Sequence, residues 1–215
     1  MTDSPLAFWQ QQLECWLEQH HAADDGAHDI AHFRRVWKTA MALNREEGEQ
    51  ANPLILLAAA YLHDVVSLPK DHPQRHLSSQ LAAKQALVIL DELTFPASLI
   101  PAVCHAIEAH SFSANIPAQT LEARLIQDAD RMEALGAIGL ARVFYTSGRM
   151  QRAMFDPHDP LAKHRPLDDQ AFALDHFFIK LYRVAEGMQT EAGRRMAQKR
   201  KAFLEQYVTT LLSEL

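Results

Sequence analysis

Residues 54–66 read LILLAAAYLHDVV, apolar on every side of a helix as far as Leu62 and then abruptly polar at His63 and Asp64. Pro53 suits the first turn of a helix, and a helix that is apolar all round belongs inside a protein. The stretch predicts a buried helix from Leu54 to about Val66 with an imidazole and a carboxylate near its end. An ionised carboxylate there costs on the order of several kcal/mol unless it is paired or bound to a cation. A lone His-Asp pair is also a common buried hydrogen-bonding pair. The meaning of this one therefore rests on what else in the chain reaches it.

Working outward, amphipathic helical periodicity dominates and no alternating strand pattern stands out. A first helix is predicted from Pro5 to about His21, broken by Asp24, Asp25 and Gly26. Asp29 is a good N-cap for a second, running to Gly48 with Phe33, Val36, Trp37, Ala40 and Met41 on one side. Ser67 to Arg75 reads as a short polar loop. Helices follow over about Ser78–Leu93, Ser98–Ala109 and Thr120–Gly148. The stretch from Arg149 to Asp168 contains Pro157, Pro160 and Pro166, which forbid a continuous helix, and is expected to be a long loop and a mobile lid. Helices over about Asp169–Glu186 and Thr190–Leu212 complete the chain. The reading is an all-α, single-domain helical bundle over 1–215, with its motif-bearing core at about 26–148 and C-terminal helices at 168–213 packed on it.

Composition narrows the function. At 215 residues the chain can bury a large core without disulfides. The formal charge of −6 argues against a broad nucleic-acid-binding surface. Cys15 and Cys104 are far apart and lack the spacing of a zinc or redox pair. The longest apolar run, Leu54 to Leu62, is too short to span a bilayer, and no signal-like N-terminus is seen. A cytoplasmic protein with no membrane partner is expected.

Other residues change the reading of His63-Asp64. His32 lies mid-helix, just off the buried stripe. The segment Leu125–Leu135, LIQDADRMEAL, places Asp128 and Asp130 in another largely apolar helix. Imidazole and carboxylate groups arriving from three buried helices suit a hard or borderline divalent metal with coordination positions left open. Asp128 and Asp130 point about 160° apart on a helix, so only one of them can face such an ion directly.

With these residues in place, the chain resembles the HD-domain superfamily of metal-dependent phosphohydrolases. The resemblance is carried by HDIAHFRRV, YLHDVVSLPKDHPQRHLSS, HSFS and QDADRMEALGAIGLARVF, from about His28 to Phe144, and continues more weakly through HFFIKLYR. Within the superfamily, these blocks look like a bacterial hydrolase subgroup. The resemblance implies one divalent metal ion (manganese, magnesium, nickel, cobalt or iron) held by His32, His63, Asp64 and Asp130. It selects His63-Asp64 over the other His-Asp dipeptides at His28 and His158, and Asp130 over Asp128.

Further roles are expected around that core. On a helical wheel His110 falls within about 60° of the inward side of its helix and His105 about 160° away, so His110 faces the site. Asp64, His110, Lys70 and Arg75 are the expected catalytic groups. Lys70, His72, Arg75, Ser79 and Arg131 are the expected substrate contacts, because an anionic substrate needs cations beyond an ion already offset by two carboxylates. The basic run Arg194, Arg195, Lys199, Arg200 and Lys201 reads as an exposed helix face. The expected partner is a small phosphate substrate, a nucleotide by resemblance. Rival readings are a di-iron oxygenase on the same scaffold and a non-catalytic nucleotide sensor.

Overall fold

The computed structural model describes residues 4–20, 29–68, 72–111 and 113–215; the Asp24-Asp25-Gly26 break and Lys70 lie outside them. Among the described residues there are α-helices, short 3-10 turns and a π turn, and no named strand. None of these helices is long and apolar enough to cross a membrane. The chain divides into two compact units, Met1–Asp130 and Arg131–Leu215.

The first unit holds α1 (Pro5–His20), α2 (Ile30–Glu46), α3 (Pro53–Leu62), α4 (Ser78–Glu92), α5 (Ile100–His110) and nearly all of α6 (Leu121–Arg131). α3 is its axis: Leu56 to Leu62 are fully buried, and α1, α2 and α5 pack around it. Each Leu or Ile withdrawn from water there contributes about 1.5–3 kcal/mol. Directional bonds fix the approach to α3. The side-chain amide of Asn44 donates to the carbonyl of Ala51 and accepts its N–H, and Asn52 caps the N–H of Leu54. α3 stops at Leu62, four residues short of the predicted end, because the chain tightens there. Val65 donates to the Leu62 carbonyl, and the His63 ring takes the carbonyl of Ala60.

The second unit holds α7 (Gly136–Arg149), α8 (Tyr182–Glu186), which follows a π-helical turn at Phe177–Leu181, and α9 (Glu191–Ser213). Its core joins Met132, Leu135, Val143, Leu174, Phe177, Leu181 and Leu204. The predicted continuous helix from Thr120 to Gly148 is broken. A 3-10 turn at Met132–Ala134 and an extended Leu135 separate α6 from α7. Gly136 takes φ +67°, and a Cβ on Gly139 would lie 2.3 Å from the Ala134 carbonyl, so two glycines permit the turn.

The helix predicted from Asp169 is also shorter than expected. Asp168 accepts the N–H groups of Gln170 and Ala171, a side-chain turn that competes with helix at this start. The stretch between α7 and this region is a loop, as its prolines require, and it is internally braced. Arg165 forks onto the fully buried Asp175 carboxylate and lies over the Phe172 ring, while Asp159 accepts the N–H groups of Lys163 and His164.

The cap of α2 is a direct point of test. Asp29 accepts the N–H of His32 at 2.8 Å. Asp29→Ala should lower the free energy of unfolding by about 1 kcal/mol, read by urea denaturation.

Candidate metal centre

Five side chains of the first unit converge at the ends or inner faces of four helices. His32 comes from α2 and is fully buried. His63, the C-cap of α3, and Asp64 beyond it come next. His110 is the last residue of α5 and is 6% exposed; Asp130 is near the end of α6. His32 Nε2 lies 3.2 Å from His63 Nε2 and 3.8 Å from Asp130 Oδ1, which is itself 3.6 Å from His63 Nε2. Asp64 divides its oxygens, with Oδ2 3.5 Å from His63 Nε2 and Oδ1 3.6 Å from His110 Nε2.

The backbone fixes which ring nitrogens face the cluster. His63 Nδ1 donates to the Ala60 carbonyl at 2.9 Å, and His110 Nδ1 donates to that of Ile107 at 2.6 Å. A carbonyl only accepts, so both rings carry their proton on Nδ1 and turn Nε2 inward. Backbone-anchored imidazoles of this kind are a regular accompaniment of metal ligation.

The electrostatics show the same convergence. Burial pushes the His63 pKa down, but the charges of Asp64 and Asp130 and the hydrogen bond to Asp130 overcome it and raise it to about 9. Burial raises the Asp130 pKa, yet its hydrogen bond to His63 and the charges of His63 and His110 hold the carboxyl well below the usual carboxylate range.

Nitrogen and carboxylate oxygen are the donor set of borderline and hard divalent ions. An ion about 2.1 Å from each ligand spaces neighbouring ligand atoms by about 3.0–3.4 Å. The observed separations run from 3.2 to 3.8 Å, at or a few tenths of an ångström beyond that spacing, so a small inward shift would close the ligand atoms on an ion. Those of His32, His63 and Asp130 all lie within 4.8 Å of one another, and those of His63, Asp64 and His110 likewise.

Comparison with known proteins gives the family. The HD domain family model matches residues 29–135, from the Asp29 cap through the end of α6 and the turn after it. An HD-superfamily hydrolase from Bacillus thuringiensis is 31% identical with a TM-score of 0.72, covering 97% of this chain and 95% of its own. This chain belongs to the HD superfamily. Bacillus subtilis YpgQ is 28% identical over 213 residues, covering 95% of this chain and 93% of its own. A crystal structure of YpgQ in complex with ADP is 29% identical, with a TM-score of 0.70 over 96% of this chain and 97% of that one. All five converging residues lie within the HD match.

The other expected site residues are placed less uniformly. Arg75 is exposed, and its Nη1 donates to the Leu68 carbonyl. His72 Nδ1 accepts the N–H of Gln74. Ser79 is drawn into the core at 1% exposure, and its Oγ has no hydrogen-bond partner among the described residues; so deep a hydroxyl offers no open face to a phosphate. The Arg131 guanidinium donates to the Gly187 carbonyl. His105 Nε2 accepts the N–H of Gln119. Asp128 is fully buried.

Sequence reasoning passed over Gln127. One turn before Asp130, its amide donates at 2.6 Å to the carbonyl of Ala109, next to His110. A lone Gln on a helix carries no signal of such a bond.

The raised His63 pKa has a measurable consequence. In the metal-free protein it contributes stability that is fully present below the ordinary 6.5 and is lost as pH rises through about 9. A cation needs that nitrogen deprotonated, so below pH 9 binding should release about one proton and tighten as pH rises. Calorimetric titration of manganese in buffers of different protonation enthalpy counts the proton. An affinity independent of pH across this range would contradict the assignment.

Proposed function

We propose that this protein is a metal-dependent phosphohydrolase that cleaves a nucleotide or a related small phosphate ester or anhydride. The observation that carries the reading is the convergence of two backbone-anchored imidazoles, a third imidazole and two carboxylates in an HD-superfamily chain. The nucleotide part draws support from YpgQ, a relative of similar length crystallised with ADP.

His32, His63, Asp64 and Asp130 would hold the ion. When bound, a divalent cation supplies Lewis acidity toward a phosphoryl oxygen and brings the pKa of water toward neutrality. The chain's own groups then manage protons and charge. Asp64 Oδ1 accepts a proton from the attacking water, with His110 Nε2 only 3.6 Å away to receive it. With Nδ1 committed to Ile107, His110 exchanges protons at Nε2 alone and returns one to the leaving oxygen. Lys70 and Arg75, in the segment that follows the His-Asp pair, supply positive charge to the phosphate.

A single ion is favoured over the pair that a di-iron oxygenase needs. Among the described residues both ligand triads share His63, whose Nδ1 is spent on Ala60, so the two triads overlap in one site rather than forming two separate ones.

A turnover screen of nucleotides and phosphomonoesters against manganese, magnesium, nickel, cobalt and iron tests the proposal directly. Nucleotide binding without turnover under any of these metals would replace the enzyme with a sensor. Asp64→Ala should abolish turnover, and in metal-free buffer it should lower the melting temperature, because the buried His63 loses the carboxylate charge that does most to raise its pKa.

Lys70→Ala and Arg75→Ala should each raise KM or lower kcat by about tenfold or more, as for loss of a charge-assisted contact. Wild-type kinetics in both variants would reduce the segment to a solvated turn.

A further inference from the structure

Glu14 lies on α1, outside the residues that the HD family model matches. Its carboxylate is where three helices meet. Arg34 of α2 donates Nε to Oε1 at 2.9 Å and Nη2 to Oε2 at 2.6 Å. Tyr61 of α3 donates its hydroxyl to Oε1 at 2.5 Å. Gln10, one turn earlier on α1, donates to both Glu14 Oε1 and the Tyr61 hydroxyl oxygen, each at 3.1 Å. Tyr61 is fully buried and the Glu14 side chain is 17% exposed, so the Tyr61 bond is shielded from water, while the Arg34 guanidinium closes the cluster from the solvent side.

The position of these partners connects the cluster to the metal centre. Arg34 is two residues after His32, and Tyr61 is two residues before His63, whose backbone remains in the right-handed helical region. Two residues are about 200° of helical rotation. Glu14 therefore grips α2 and α3 on the sides opposite those that bring the two imidazoles together.

α3 has particular need of such a grip. Its sequence, PLILLAAAYL, contains one side chain able to hydrogen-bond, that of Tyr61. Apolar packing is non-directional and resists rotation of an all-round apolar helix only through shape. Beyond the bonds at its N-terminus, the Tyr61 hydroxyl gives α3 a directional side-chain contact close to His63, able to constrain the rotation of the helix there.

We propose that Glu14 is a positioning residue for the metal centre, setting the separation and mutual facing of His32 and His63 by joining the backs of their helices. The proposal rests on the metal-centre reading above. The Arg34 guanidinium, more than its other partners, holds the Glu14 carboxyl down to about 2, so the clamp stays charged through the neutral range.

The test is the manganese dissociation constant of the full chain, measured by calorimetry and electron paramagnetic resonance well below the unfolding temperature. Glu14→Ala and Tyr61→Phe should weaken manganese binding about tenfold or more, the scale for groups that orient metal ligands. Glu14→Gln, which keeps an acceptor for Tyr61 and Arg34, should recover most of the loss. Arg165→Ala, which unbraces the second unit, should lower the melting temperature and leave manganese affinity unchanged. If Glu14→Ala does not fold, Tyr61→Phe carries the test, since it removes a single oxygen. Dissociation constants within twofold of wild type in the clamp variants overturn the proposal while the metal centre stands. A wild-type protein that binds no manganese overturns both.

Discussion

A carboxylate and an imidazole at the end of an oily helix must be compensated, and much of the first unit can be understood as that compensation. α3 brings His63 and Asp64 to a place where water cannot solvate them fully. Three neighbouring helices answer with His32, His110 and Asp130. Without a cation the cluster holds itself by sharing protons, with His63 raised and Asp130 lowered. The same mutual dependence makes it a receptive place for a divalent ion, whose charge would replace that of the shared proton.

Helix ends do much of the positioning. His63 caps α3 and His110 closes α5, and each ring takes a carbonyl that its helix leaves unpaired at the C-terminus. One bond thereby satisfies the backbone, fixes the tautomer and aims Nε2 inward. Asp29 does the corresponding work at the start of α2, bonding to the N–H of His32 itself. The residues that finish the helices are thus also the residues of the site or their immediate supports. Such economy explains why the site needs so few polar residues.

Much of the fold was legible along the chain because helical periodicity and caps are local signals. The spans of α1, α2, α4, α5 and α9 follow from apolar stripes and from Asp29, Gly48 and Thr190 at their ends. The misread boundaries share a cause. At Gly136 and Gly139 the break depends on how closely one stretch of backbone approaches another, at Asp168 on a side-chain turn that outcompetes the helix, and at Asp175 on the Asp168 N–H and Arg165 guanidinium that its carboxylate finds. The braced loop around Arg165 is likewise invisible as a pattern, since its bonds join residues whose spacing has no period.

By itself the sequence determined the helical class, the burial of α3 and the chemical types that gather at its end. Those are consequences of hydrophobicity and residue chemistry, which each position carries regardless of its neighbours. The HD blocks further implied His32, His63, Asp64 and Asp130 as a set. Only tertiary structure decided how those groups face one another: the 3.2 Å approach of two imidazoles, the two-sided use of Asp64, and the burial of Ser79. The Glu14 clamp belongs to the same class. Glu14, Arg34 and Tyr61 are unremarkable where they stand in the chain, and they meet because three helices pack with one rotation and one register. Distances of this kind are set by the packing of whole helices, a property that no single segment contains.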